Sequence, residues 1–156
     1  MNHDQQPDTT YQQPGWFTRH VFNRAVARLT RLGVSVWGSR VLEVRGRRSG
    51  EPRRTPVNLL THDGSPYLVA ARGETEWVRN LRADGGRLTL IVGRRRQAWQ
   101  ATEIAAPNRL PVLRSYIDRW KWEVGAFFDG IDTNSTDAEW EVEAQRHPVF
   151  RLEPAA

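Results

Sequence analysis

The chain has no cysteine among its 156 residues, a single lysine, Lys121, and one methionine. Without thiols there can be no disulfide, thiolate metal site or cysteine nucleophile. The four histidines, His3, His20, His62 and His147, show no HxxH or HExxH spacing, so no metal site is expected. No apolar run approaches the length that spans a bilayer, and the polar opening MNHDQQPDTTYQQPG does not read as a secretion signal. The expectation is a cytoplasmic protein. With lysine almost absent, the net charge of +5 and the pI near 10.6 rest on arginine. Its planar fork of donors matches phosphate and carboxylate oxygens.

What is present suffices for one folded domain. Hydrophobic residues make up 38% of the chain, with seven Trp and five Phe, which argues against general disorder. Residues 1–15 are polar and read as a disordered arm, leaving residues 16–156 as a single domain. Over residues 16–32, Phe17, Val21, Val26 and Leu29 fall near helical spacing, with Arg24, Arg28 and Arg31 on another face. Such a basic amphipathic helix can pack on its own domain. That is the first reading; the second is a helix lying on anionic lipid, with peripheral contact at the inner face of the plasma membrane.

Strand patterns follow at residues 39–45, 56–62, 66–71, 87–92, 96–104 and 147–152. HDGS at 62–65 is a tight-turn sequence. A short helix is predicted over 74–84, closed by Gly85 and Gly86. A longer one follows Pro107, with Leu110, Leu113, Ile117, Trp120, Val124 and Phe128 on one stripe. Thr136 and Glu139 resemble a capping box for a last helix. The fold class expected is α+β, mainly β: a six-stranded antiparallel split β-barrel with meander connections, an N-terminal helix and peripheral helices.

Two segments carry chemistry. In GRRSGEPRRTP (46–56), Gly46 and Gly50 allow backbone N–H groups to converge on an anion, and Ser49 adds a hydroxyl. Arg47, Arg48 and Arg53 bring charge, while Pro52 and Pro56 stiffen the turn. Its composition also fits a solvated hairpin turn. In PYLVAARGETEWVRNLRADG (66–85), a strand ends on the small residues Ala70 and Ala71, Arg72 and Gly73 make a sharp exit, and a helix begins near Trp77. Small residues at a strand end let a flat group approach the backbone, and a helix N-terminus favours an anion. The bland alternative makes Trp77 core and Asn80 a cap.

Together, GRRSGEPRRTPVNLL and YLVAARGETEWVRNLRADG resemble the deazaflavin (F420)-dependent nitroreductase and quinone-reductase family, over roughly residues 34–104. The resemblance implies a split barrel and reduced coenzyme F420 as hydride donor. It also implies that Arg47, Arg48 and Arg53, with Ser49 and Gly50, bind the coenzyme's phosphate and acidic tail. Pro56 and Val57 would lie along the ring. Ala70, Ala71, Arg72 and Gly73 would form a wall, supported from behind by Trp77 and Asn80. The chain departs from the family pattern between Gly73 and Trp77, where it has only GETEW, with Glu74 and Glu76 acidic.

The activity implied is hydride transfer to a planar, electron-poor small-molecule acceptor, a quinone or a nitroaromatic. Tyr116 is the candidate proton donor, with Tyr67 behind it, and Trp122 the candidate pocket wall. The alternative is a non-catalytic F420-, flavin- or lipid-binding barrel. Nucleic acid is not expected as a partner: the clusters RGRRSG and GRRRQ come with no reading helix or aromatic RNA motif. Exposed barrel edges and aromatic-rich helices are compatible with a homodimer.

Overall fold

Alternation in SRVLEVR sends Leu42 and Val44 to one side of a strand and Val41 and Glu43 to the other. This two-residue period, repeated in six segments, builds the architecture. The computed structural model describes residues 39–128, 130–132 and 134–156. The expected arm (1–15) and basic helix (16–32) lie outside the described residues.

The strands are β1 Ser39–Arg45, β2 Pro52–His62, β3 Ser65–Val69, β4 Arg87–Val92, β5 Arg95–Glu103 and β6 Val149–Pro154. Three helices join them: α1 Glu76–Ala83, α2 Leu110–Val124 and α3 Asp137–Arg146. The strands close an antiparallel barrel in the order β1-β2-β3-β6-β5-β4. The expected meander is therefore corrected. After two hairpins β3 pairs with β6, and β4 returns to the far side of β1. Asp63 and Gly64, both at positive φ, form the two-residue turn between β2 and β3.

Two cores result. Inside the barrel lie Leu42, Val44, Leu68, Leu88, Leu90, Phe150 and Leu152, and α1 closes one end with Val78 and Leu81. Outside it, the stripe Leu113, Ile117, Trp120 and Val124 of α2 packs with Trp140 of α3 against Leu60, Val69 and Val149. No helix among the described residues is long and apolar enough to cross a membrane.

The capping box at α3 is present. Thr136 Oγ1 accepts from the Glu139 amide, and Glu139 accepts from the Thr136 amide at 2.7 Å. Replacing Thr136 with alanine leaves those first-turn amides to water. The melting temperature should fall by roughly 2–4 °C, and calorimetry reads it directly.

β2 holds the feature that matters most for function. It starts at Pro52, earlier than the sequence pattern indicates, because its first half is ruled by pairing and not by apolar alternation. Residues Pro52–Asn58 pair with β1, whereas Leu59–His62 pair with β3. The strand thus changes neighbour midway, and this is where the barrel splits. Among the described residues, the 52–58 half has no strand along its second edge. A proline inside a strand is tolerated beside such an edge, because its missing N–H costs no ladder bond there.

Candidate functional site

Beside the 52–58 half of β2, which among the described residues has a strand on one edge alone, lie the arginine-bearing turn, the exit from β3 and the start of α1. Each is shaped by local sequence. The turn 46–51 is closed by two main-chain bonds, Gly46 N–H to Glu51 O and Gly50 N–H to Gly46 O, both 2.8 Å. Gly50 has φ +72°, and a Cβ on Gly46 would come within 2.8 Å of Ser49 Oγ. Both positions therefore need glycine. Ser49 Oγ accepts from the Glu51 amide at 3.2 Å and from Arg53 Nη2 at 3.4 Å, which draws Arg53 back over the turn.

One residue joins turn to helix. Asn80, 5% exposed on α1, accepts at its Oδ1 from the Arg47 amide at 3.1 Å and from Arg47 Nη1 at 2.9 Å. The same guanidinium reaches Glu76 at 2.7 Å, and Arg79 lies on that carboxylate too. The hydrogen bond from Arg47 leads in holding Glu76 below the usual carboxylate range. Arg47 is thereby committed to the protein itself. Arg48 and Arg53 remain exposed, and among the described residues neither forms an ion pair with a carboxylate.

The wall comes next. After Val69 the chain turns tightly, with Gly73 N–H donating to Ala70 O at 2.9 Å. Ala70 faces the barrel core and Ala71 the helical layer. Trp77 packs on the barrel core with its ring 5.7 Å from that of Phe150, so it supports the wall from within. At the N-cap of α1, Thr75 Oγ1 is buried with no hydrogen-bond partner. Glu74, the other acidic residue of the short connection, is drawn away to Arg82 at 2.7 Å.

Arg72 does not join the arginine turn. Its guanidinium stands 5.0 Å over the Phe127 ring and lies near enough to Tyr116 to favour the ionised phenol. Tyr116 is 3% exposed and packs on Trp120. Burial pushes its hydroxyl above the usual phenol range, while a hydrogen bond with Asn58 pulls the other way. Asn58 also donates to Glu123 at 3.4 Å. A polar cluster of Asn58, Tyr116, Glu123 and Arg72 thus flanks the split on the α2 side. Sequence reasoning reached only Tyr116 and Arg72. No local signal marks Asn58 or Glu123, which meet across 65 positions of chain. Trp122, expected in a pocket wall, is 69% exposed, whereas Trp120 and Phe128 are core. Tyr67 is half-buried against the helical layer and sets its ring edge-on to His62.

The second arginine cluster lies elsewhere. The register of β4 on β1 pairs Val41 with Ile91, so the Gly93-Arg94 turn sits at the start of β1. The 46–51 turn follows its end, roughly 20 Å away along the strand. A recess of about 290 Å³ lined by Val41, Arg54, Ile91, Gly93, Arg94 and Arg96 opens at that far end. It lacks the wall, the glycine turn and the helix start, so it is not the site favoured by the chemistry. Arg54 and Arg96, on its lining, are engaged by Glu43 farther along β1, at 2.6 and 2.5 Å. No cluster of metal-binding side chains occurs among the described residues.

Among the described residues, the split therefore offers two exposed guanidinium groups outside any ion pair, a hydroxyl and an unsatisfied buried oxygen, near a small-residue strand end and a strand edge with one neighbour. That donor set fits a ligand with an anionic handle and a flat apolar body.

Comparisons with known proteins point the same way. No curated protein matches the chain. Among solved structures, an F420-H2 dependent reductase, FDR-A, superposes with a TM-score of 0.50 at 18% identity, covering 74% of this chain and 94% of that one. A protein of unknown function from Agrobacterium tumefaciens gives 0.55 at 18% identity, over 93% of this chain and 58% of that one. The conserved hypothetical protein Rv2991 from Mycobacterium tuberculosis gives 0.50 at 18% identity, over 83% and 80%. At such identities the structural likeness establishes the fold. The sequence pattern of one family matches residues 17–122, a stretch that contains the arginine turn, the wall and the Trp77–Asn80 helix. By that match this chain belongs to the F420H(2)-dependent quinone reductase family.

Proposed function

We propose that the split between β2 and the 70–75 loop holds reduced F420, and that the chain passes its hydride to a quinone-class acceptor. The observation that carries this reading is the exposed pair Arg48 and Arg53, outside any ion pair among the described residues, on a turn that Asn80 docks to the helix following the Ala70–Gly73 wall. When bound, the coenzyme supplies the hydride. The protein contributes grip, orientation and control of water.

Arg48, Arg53 and Ser49 grip the acidic end, while Arg47 holds the turn in place through Asn80. Pro56 and the main chain of the 70–73 turn offer the surface for the ring, with Val57 and Ala70 backing it from the barrel core. Two charge-assisted contacts give about 3–6 kcal/mol gross. Micromolar binding needs about 8 kcal/mol beyond an association cost of at least ~4 kcal/mol. The shortfall of about 6–9 kcal/mol corresponds to roughly 250–350 Å² of apolar burial at ~25 cal/mol per Å². A tricyclic ring against the wall is of that size.

Tyr116 stays a neutral phenol, because burial disfavours its ionised form. It can therefore hold a proton at its hydroxyl in the Asn58–Glu123 cluster beside the split. An acceptor reduced by hydride needs a proton in addition; burial makes Tyr116 a weaker acid than a free phenol, so the role open to this cluster is to order the water that supplies it.

The test is a fluorescence titration with F420, followed by turnover of reduced F420 with a menadione-type quinone, a nitroaromatic and a matched flavin-nucleotide control. Expected are saturable binding, quinone-dependent oxidation faster than that with the nitro compound, and no response to the flavin nucleotide. Absence of binding at tens of micromolar coenzyme overturns the reading. Binding without turnover would instead favour a carrier role.

A further inference from the structure

His147 and Glu143 are the most deeply buried ionisable pair among the described residues, at 1% and 3% exposure, and nothing in the reaction outlined above uses them. Their geometry points back to the wall. His147 Nδ1 lies 3.1 Å from the carbonyl oxygen of Ala70, and Nε2 lies 3.0 Å from Glu143 Oε2. A carbonyl only accepts, so Nδ1 carries the proton and donates. The ring is fixed by Phe128, stacked at 4.0 Å, and Glu143 also accepts from Arg146 at 3.1 Å. Arg109 fastens the same corner by donating to the carbonyl oxygens of Ala144 and His147.

The Ala70 carbonyl is thus held by two donors, the His147 ring and the Gly73 amide, and the Ala70 amide donates to Pro148 O at 2.9 Å. Both main-chain groups of the wall's first residue are set by the segment joining α3 to β6 or by the turn itself. That carbonyl is the hinge on which the 70–73 turn closes.

We propose that His147 is a positioning residue for the coenzyme: its Nδ1–H fixes the Ala70 carbonyl and so the face that the wall presents to the flat ring. This rests on the reading that the Ala70–Gly73 wall lines the coenzyme site. His147 touches neither coenzyme nor acceptor and acts through Ala70.

Two substitutions separate positioning from packing. In His147→Asn the side-chain amide falls near the place of Nδ1 and keeps a donor for Ala70. In His147→Gln it falls near Nε2, keeping the Glu143 contact and losing Ala70. Both remove the ring and should lower the melting temperature alike. The F420 Kd should stay within about twofold of wild type in His147→Asn and rise about tenfold in His147→Gln, roughly what one lost hydrogen bond is worth. Turnover at saturating coenzyme should change little in either. Equal Kd values in the two variants overturn the proposal. Glu143→Gln leaves the Ala70 bond in place and should keep the wild-type Kd; a tenfold loss there also overturns it. If His147→Gln does not fold, His147→Asn still decides, because a tenfold weaker Kd in that variant is fatal. Exchange of the Gly73 amide, faster in His147→Gln than in His147→Asn, is read without coenzyme. Failure of wild type to bind F420 therefore counts against the coenzyme reading, while equal exchange counts against His147.

Discussion

Replacing Arg48 and Arg53 together with alanine should weaken F420 binding by about 100-fold or more, the consequence of losing two charge-assisted contacts. The effect is large because, among the described residues, neither guanidinium forms an ion pair with a carboxylate, and Arg48 acts on Glu76 only at longer range. Turnover at saturating coenzyme should change far less, since these groups would grip a part of the coenzyme remote from the reacting carbon and bind ground state and transition state alike. The wild-type Kd should rise with salt, and that dependence should flatten in the double variant. Arg94 and Arg95 serve as the control. They sit at the other end of β1, and their double alanine variant should bind within about twofold of wild type. Fluorescence titration at two salt concentrations checks all of this. Equal losses from the two double variants would mean that only overall charge matters, and the turn would lose its role.

Asn80→Leu should damage stability and binding together. Asn80 Oδ1 is the acceptor for both the main-chain amide and the guanidinium of Arg47 in a buried setting. Leucine keeps the branched shape with somewhat more bulk and removes the acceptor, leaving a shielded amide unsatisfied. The melting temperature should drop by roughly 3–8 °C. With its anchor gone the 46–51 turn no longer holds one geometry, and coenzyme affinity should fall at least about tenfold. Asn80→Asp keeps both acceptor contacts and should recover most of the stability. If Asn80→Leu lowers the melting temperature and leaves the Kd untouched, the turn does not need its dock on α1, and the coupling of the two sequence motifs has another cause.

That coupling was visible in the sequence only as two motifs in a fixed order. The physical link is one amide side chain spanning 33 positions of chain. Much of the secondary structure could be read locally. β1 and β4 match their predicted bounds, and the capping box at Thr136 opens α3 as its residues require. These succeed because alternation, turn residues and caps act over a few positions. The start of β2 was misplaced because Pro52–Thr55 have no apolar alternation and become a strand only by pairing with β1. Likewise Trp120 falls on the apolar stripe and is core, whereas Trp122, off that stripe and expected in a pocket wall, is exposed once α2 is seated on the barrel.

The sequence by itself determined the six strands of the described residues, a glycine-framed arginine turn and a small-residue strand end, because each depends on near neighbours along the backbone. Only the tertiary structure decided which arginines are available. Asn80 and Glu76 commit Arg47, Glu43 engages Arg54 and Arg96 along β1, and among the described residues Arg48 and Arg53 are left without an ion pair. The reason is geometric: a guanidinium is neutralised by whatever carboxylate the fold brings within a few ångströms, and strand register, not spacing in sequence, sets that partner.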